Sequence, residues 1–253
     1  MNSMLIASAS VTIIFAGALL GIGLQRLLPG HHLSKETQDV VKLSGGMIGT
    51  LTALVLGLLV SSAKTSFDIA NSGIVQTSAK VVLLDRALAR YGPDADAARE
   101  QLKRSVAAVI DTLWPSERTA GSTLVTMEQG KGVDLLQDAL GALQPQSEAQ
   151  REALSQARQI VTDVNQARWL FIEQEHGQLP VPLLVILVFW LTLLFVSFGL
   201  FAPPNTTAVT VLLVGACAVS AAIFLVIEMS QPIEGFITIS SAPMRNALQH
   251  LNQ

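Results

Sequence analysis

Small and polar residues recur along one face of the second apolar segment of the chain. Between positions 46 and 68 they follow one another at steps of three or four: Gly46, Thr50, Ala53, Gly57, Ser61, Lys64 and Asp68. Steps of this size keep side chains on one face of an α-helix. In a bilayer, such a face either lets a second helix approach closely or lines an aqueous path with hydroxyl groups and charge. The sequence leaves both interpretations open.

The two interpretations select different residues. If the face lines an ion path, hydroxyl groups and a circle of lysine side chains would meet the ion. An aromatic side chain just beyond them would form a constriction that excludes water. The candidate pore-lining residues are then Thr50, Gly57, Ser61, Lys64 and Phe67. If the faces are for helix packing, the candidates are the small residues of the first and second segments, Gly17, Gly21, Gly46, Gly49 and Ala53.

One acidic residue, Glu228, stands where the last apolar segment ends, just before "MSQPIEGF". An ionisable residue at membrane depth is a functional candidate by default, because placing it there is costly. The simpler alternative is a carboxylate that marks the edge of the membrane. Glu228 therefore enters the set of candidate residues with both interpretations open.

The residue patterns of known enzyme sites are incomplete here. Ser61 and Lys64 have the S-x-x-K spacing, but the S-D-N and K-T-G partners of that motif do not occur. Glu173 and His176 form a single E-x-x-H pair, whereas di-iron helix bundles need two copies and further carboxylates. We therefore expect no catalytic residues, no cofactor and no metal site.

The composition indicates a membrane protein. Of the 253 residues, 50% are hydrophobic and only 14% are charged, whereas soluble domains carry about a quarter charged residues. The formal net charge of −3 and the lack of a basic patch argue against a nucleic-acid partner. The single cysteine, Cys217, excludes an intrachain disulfide.

Four apolar segments are long enough to cross a bilayer as helices, which takes about 20 residues. They are predicted at about 5–24, 45–63, 181–201 and 208–228. The first lacks the basic start of a signal peptide and exceeds the usual length of its apolar core, so we interpret it as a retained anchor. The segments form two hairpins, 1–63 and 180–229, and a tail with a small helix follows at 230–253.

The stretch between the hairpins, 64–179, is predicted to form amphipathic helices. Apolar residues keep a three-to-four period over 153–171, and Ser147 opens "SEAQ", a start that resembles a capping box. No proline or glycine separates the apolar end of the second span from the polar helix after it, so one helix should continue out of the membrane. The predicted fold is an all-α integral membrane protein with four transmembrane helices and a helical extramembrane bundle between spans two and three.

Four stretches, in this order, resemble the bestrophin-like family of bacterial membrane proteins. They are "GTLTALVLGLLVSSAKTSFDIA", "LLDRALARYG", "QARWLFIEQEHGQLPVPLLVILVFW" and "QPIEGFITISSAPMRNAL". In the tail, the family shows an acidic residue, then P-F-x-G, then I/V-S. That pattern is matched by Glu228, Pro232, Gly235, Ile239 and Ser240, and it is not matched at Gln231 and Ile233. Glu228, Pro232 and Gly235 are the candidate membrane-edge motif.

The resemblance implies a likeness to bestrophins, which are pentameric chloride channels with four membrane helices and a cytoplasmic helical body. It therefore implies a homo-oligomer, with a pentamer favoured, in the bacterial cytoplasmic (inner) membrane. It also implies that small inorganic ions are partners and that the helical body lies in the cytoplasm. The acidic run of the bestrophin calcium clasp is not visible in the sequence, so calcium gating is not expected.

Two functions from different classes fit these features. The first is an oligomeric anion channel whose second span lines the pore. The second is a membrane-anchored helical scaffold or sensor with no permeation path. Spans two and four carry no charged residue at mid-depth, which argues against a proton relay or a coupled transporter but fits both functions. The resemblance favours the channel.

Overall fold

The computed structural model describes residues 3–29, 33–115, 132–175, 181–233 and 235–251. Within these ranges the chain forms α-helices and short 3-10 turns, with no β-strand. The helices are α1 Ser3–Leu27, α2 Lys35–Tyr91, α3 Asp96–Leu113, α4 Gly132–Gly141, α5 Glu148–Glu175, α6 Val181–Phe201, α7 Thr206–Met229 and α8 Ala242–Leu251.

Four of these helices are long and apolar enough to cross a membrane, judged by length and composition. They are α1, α2, α6 and α7, and each contains one of the four apolar segments that the sequence predicts. The all-helical class and the number and order of the apolar helices are thus confirmed.

The second helix, α2, continues without a break through the predicted exit from the apolar region. It has 57 residues, which at 1.5 Å per residue gives a length of about 86 Å. It begins ten residues before the predicted start of the span, because Ser34 caps it: the Ser34 hydroxyl oxygen accepts from the Thr37 N–H at 3.3 Å. Hydrogen bonds from its own backbone N–H and from Ser34 lower the pKa of the Glu36 carboxyl in the first turn.

The chain divides into two compact units. The apolar unit consists of Met1–Phe67 and Gln178–Ile237, and the body unit consists of Asp68–Gly177 and Thr238–Gln253. Helix α2 contributes its first part to the apolar unit and the rest to the body unit. Each unit has its own buried residues and is described separately below.

In the apolar unit, α1 contacts both α6 and α7. Glycines allow the closest approach: a Cβ atom on Gly21 would overlap the carbonyl oxygen of Val196, and one on Gly199 would overlap that of Ala18. Small residues at such contacts let helix backbones approach closely in a bilayer. The core around this contact contains Ile14, Ala18, Leu59, Ala63, Leu187, Leu191, Phe195, Ala216, Ile223, Val226, Ile227 and Met229.

In the body unit, α3 contacts α4 and α8, and α4 contacts α5. The predicted capping box at the start of α5 is confirmed. The Ser147 hydroxyl oxygen accepts from the Gln150 N–H at 3.2 Å, and the Gln150 side-chain oxygen accepts from the Ser147 N–H at 3.3 Å. Two N–H groups that the helix start would leave unpaired are thereby satisfied.

Polar contacts join α2 to α3 and α5 in the body unit. The Arg99 guanidinium donates twice to the Asp85 carboxylate, at 2.8 and 3.1 Å, and this hydrogen bonding raises the pKa of Arg99. The Lys80 ammonium donates to Asp163 at 3.2 Å. The bidentate Arg99–Asp85 pair is the stronger restraint, because two parallel hydrogen bonds fix orientation as well as distance.

The C-terminal tail is anchored in the body unit by a buried hydrogen bond. The indole N–H of Trp114, the residue that ends α3, donates to the carbonyl oxygen of Ile239 at 2.7 Å. Helix α8 then packs through its buried face, Met244, Ala247 and Leu251. A ten-residue helix is too short to be stable alone in water, so α8 depends on this packing.

Candidate functional site

The small-and-polar face of α2, which we define as the seven residues from Gly46 to Asp68 given above, is not covered by the rest of the described chain. All seven are exposed. Beyond the neighbouring backbone of α2 itself, a Cβ atom added to Gly46 or to Gly57 would meet no atom of the described chain within 4 Å. The described part of the chain therefore does not use this face for packing.

Helix α2 instead packs through its opposite side. Thr52, Leu59 and Ala63 are buried there, and at 100° per residue they lie about 120° to 160° from Gly57 around the helix. The Thr52 hydroxyl donates to the Ile48 carbonyl at 2.7 Å, so this buried polar group is satisfied by its own helix. The hydrogen bonding of the packed side is thus independent of the small-and-polar face.

A strip of large apolar side chains lies next to the small-and-polar face and is also uncovered. In the most apolar window of α2 only 11% of the residues are buried, against 28% in each of the other three apolar helices. This makes α2 the least buried of the four within one subunit. The apolar strip contains Met47, Leu51, Leu54 and Leu58, each at least 50% exposed.

The polar groups near the end of the apolar region have local partners. The Thr50 hydroxyl donates to the Gly46 carbonyl at 2.9 Å. The Lys64 ammonium lies 5.9 Å from the centre of the Phe67 ring, a cation–π distance. Phe67 is half-buried and packs partly against the core of the apolar unit, so it stands at the border between the exposed and packed sides of α2.

The helix-packing candidates separate into two environments. Gly17 and Gly21 lie in the contact of α1 with α6, where a Cβ on Gly17 would be 2.9 Å from the Thr192 methyl carbon. A Cβ on Gly49 would lie 3.9 Å from a methyl carbon of Leu194, whereas Gly46 and Ala53 are exposed. Sequence reasoning missed Gly199 on α6, although a lone glycine among the large residues "SFGLF" is a recognisable packing signal.

The membrane-edge motif forms a compact turn at the end of α7. Glu228 is only 1% exposed, and its Oε1 accepts a hydrogen bond from the backbone N–H of Phe236. Gly235 adopts φ +114°, and a Cβ there would be 2.8 Å from the Glu228 carboxyl carbon. Pro232 is half-buried in the same turn. The structure thus brings Glu228 and Gly235 together and adds Phe236, which sequence reasoning did not single out.

A comparison with protein families matches residues 12–244 to the bestrophin-like domain. The chain belongs to the bestrophin-like family. The match extends from α1 into α8 and so covers nearly the whole chain, which confirms the resemblance drawn from the sequence. Comparisons with curated proteins and with solved structures give no match.

For this bestrophin-like chain, the described residues contain no group of three or more His, Cys, Asp or Glu side chains placed to hold a metal ion. The predicted E-x-x-H pair, Glu173 and His176, lies outside the side chains that the structure describes. The features that stand out are therefore the uncovered face of α2 and the turn around Glu228.

Proposed function

We propose that this bestrophin-like chain assembles into a homo-oligomeric membrane ion channel that conducts anions, with the small-and-polar face of α2 lining the pore. Family membership supports a channel-type membrane protein. The proposal assigns the chain to the bacterial cytoplasmic membrane, with the helical body on the cytoplasmic side, and gives it no catalytic role. Anion conduction, pore lining and assembly are the parts that require experiment.

The uncovered face of α2 is the observation that carries the proposal. A helix whose exposed side is half small-and-polar and half large-and-apolar has two different neighbours outside its own subunit. Around a symmetry axis, the small residues of each copy would face the axis and leave room for ions, while the leucines would meet a neighbouring copy or lipid. In a closed ring every lining residue is repeated by each subunit.

Charge at the end of the face favours anions. A ring of Lys64 side chains concentrates positive charge around the axis, and rings of basic residues select anions in known pores. Asp68 lies one helical turn further along α2, about 6 Å away, which is within the Debye length of about 8 Å at physiological salt. Its carboxylate therefore offsets part of the attraction, and we expect Lys64 to set the sign of selectivity and Asp68 to limit its size.

Two further residues have roles in the proposal. The Thr50 hydroxyl bonds its own helix at Gly46, so it would have to exchange that bond to donate to a passing anion. Phe67 stands beside Lys64 on the border of the face. A small rotation of α2 would bring its ring towards the axis, where a hydrophobic ring closes a pore by excluding water.

Reversal potentials of the purified protein in planar bilayers, measured across a chloride gradient, test the proposal. The wild-type protein is expected to pass anions in preference to cations. Lys64→Glu should lower the chloride-to-potassium permeability ratio several-fold, because the ring becomes negative. Arg104→Glu, the same charge change at an exposed position of α3, should leave the ratio unchanged.

Two outcomes of these recordings would contradict the proposal. If the protein reconstitutes well but shows no conductance, or if Lys64→Glu leaves the chloride-to-potassium permeability ratio unchanged, the proposal that α2 lines a pore is wrong. A monomeric or dimeric particle in detergent together with no conductance would favour the membrane-anchored scaffold instead.

A further inference from the structure

The chain turns back on itself where α7 ends and leaves an aromatic ring beside the apolar helix. The Phe236 and Phe224 ring centres are 6.3 Å apart, with 57° between the ring planes. Phe224 lies five residues before the end of α7, within the apolar helix. Phe236 therefore lies alongside the last turns of α7, yet its side chain is 71% exposed.

A buried carboxylate fixes this arrangement. Oε1 of Glu228 accepts from the Phe236 N–H, and Gly235 provides the left-handed backbone conformation, φ +114°, that brings the N–H into place. Ile237, the next residue, packs partly against the core of the apolar unit. We call Gly235, Phe236 and Ile237 the aromatic hook.

The hydrogen bond from Phe236 to Glu228 is compatible with a lipid environment. Backbone N–H groups at membrane depth need an acceptor from the protein, because lipid tails offer none. Glu228 supplies that acceptor, so the hook presents a ring to its surroundings instead of an unpaired N–H. Removing a phenylalanine side chain from water is favourable, and a ring that is 71% exposed in the isolated chain has most of that gain still available.

We propose that the aromatic hook inserts the Phe236 ring into the boundary between the acyl chains and the headgroups of the bilayer, and that Glu228 is the positioning residue that holds it there. The inference rests on the proposed function, in that α7 must span a membrane. Lipid is the occupant because the exposed ring adjoins Phe224 on the apolar helix α7, and Leu225, the following residue of that helix, is itself 38% exposed.

Fluorescence of an added tryptophan tests the hook. Phe236→Trp is made in a chain whose Trp169 and Trp190 are replaced by Phe, and the protein is reconstituted in phosphatidylcholine vesicles. Buried Trp114 is kept because its N–H holds the carbonyl oxygen of Ile239, and the emission of the same chain with Phe236 is subtracted. Lipids brominated on the acyl chain close to the headgroup should quench the emission strongly, and aqueous iodide should quench it weakly. Quenching by iodide without quenching by bromolipid places the ring in water and overturns the proposal. Quenching by neither means that protein, such as a second copy of this chain, covers the ring, which also overturns it.

A second position separates failure of the hook from failure of the proposed function. Phe198 on α6 is 53% exposed, so Phe198→Trp in the same background reports whether the apolar helices are in the bilayer. Bromolipid quenching at 198 but not at 236 rejects the hook and leaves membrane insertion standing. The absence of quenching at both positions counts against membrane insertion itself.

The role of Glu228 is tested in the Phe236→Trp chain. Glu228→Ala removes the acceptor and should reduce bromolipid quenching several-fold while raising iodide quenching, whereas Glu228→Gln keeps a carbonyl acceptor and should retain the wild-type pattern. Unchanged quenching in Glu228→Ala would show that the carboxylate does not position the ring.

If Glu228→Ala fails to fold, Gly235→Ala serves instead, because a Cβ at φ +114° is strained and meets the Glu228 carboxyl. It should displace the ring in the same way, and an undisturbed ring would reject the account.

Discussion

Gly21 and Gly57 are the same residue type in two long apolar helices, and their surroundings are opposite. Around Gly21 the backbone of α6 is so close that a Cβ would lie 2.8 Å from the Leu200 amide nitrogen, within overlap distance. Around Gly57 the described chain has no atom within 4 Å of the same position. Gly17 and Gly21 of α1 lie against another helix of the same chain, whereas Gly46 and Gly57 of α2 lie on an uncovered face.

The difference teaches that small-residue spacing predicts a close approach but not the partner. The α1–α6 contact is complete in one chain, so its glycines serve the fold. The α2 face is uncovered in the described chain, and in our proposal an ion path or another copy occupies the space beside its glycines. Substitutions in the α1–α6 contact should therefore reduce folding, whereas substitutions on the α2 face should reduce conductance.

The largest effect is expected at the closed contact. Gly21→Leu forces α1 and α6 apart, and we expect little or no folded, monodisperse protein in mild detergent. Gly23→Leu is the matched control, because a Cβ on Gly23 meets nothing within 4 Å and the residue is only two positions away. Equal yields of the two variants by size-exclusion chromatography would contradict the account of the contact.

The next largest effect is expected on the small-and-polar face of α2, where a substitution should change conductance but not folding. Gly57→Leu should give normal yield and thermal stability, because no atom of the subunit is displaced. Its current in planar bilayers should fall at least tenfold, because a bulky side chain repeated in every subunit narrows the path. Gly23→Leu again serves as control and should conduct normally. A Gly57→Leu protein that folds poorly would show that the face is packed after all.

A smaller effect on thermal stability is expected when one glycine in each region is replaced by alanine. Gly17→Ala places a methyl group 2.9 Å from the Thr192 side chain, and overpacking of this kind costs about 1–3 kcal/mol. Gly46→Ala meets nothing and gains up to about 1 kcal/mol of helix propensity. The thermal midpoint in detergent should fall for Gly17→Ala and stay or rise for Gly46→Ala. The opposite order would break the comparison between the two helices.

Local features of the fold were predictable from the sequence because their causes are local. The four apolar helices follow from segment length, the start of α5 follows from Ser147 and Gln150, and the continuation of α2 follows from the lack of a helix breaker. The early start of α2 was also readable, since Ser34 followed by Glu36 and Thr37 is a typical helix start.

Other features were not predictable because they depend on contacts distant in the chain. The period of α2 places Gly46 and Gly57 on one face, but only the packing of the other helices decides that this face stays uncovered. Likewise Gly235 was assigned to the candidate membrane-edge motif, whereas the return of Phe236 to Phe224 depends on the buried Glu228 carboxyl group, which lies outside local sequence patterns. The sequence did not reveal Gly199 as the partner of Ala18, because single-chain periodicity does not pair helices.

Covalent block at neighbouring positions of α2 tests the central claim most directly. Cys217, the single native cysteine, is replaced by Ala, and Gly57→Cys and Leu58→Cys are compared in planar bilayers with an anionic, membrane-impermeant methanethiosulfonate reagent. These positions differ by one residue and by about 100° around the helix. The account predicts that the reagent irreversibly reduces the current through Gly57→Cys and leaves that through Leu58→Cys unchanged. Block of Leu58→Cys with Gly57→Cys unaffected, or no current from either variant or from the Cys217→Ala parent, would contradict it.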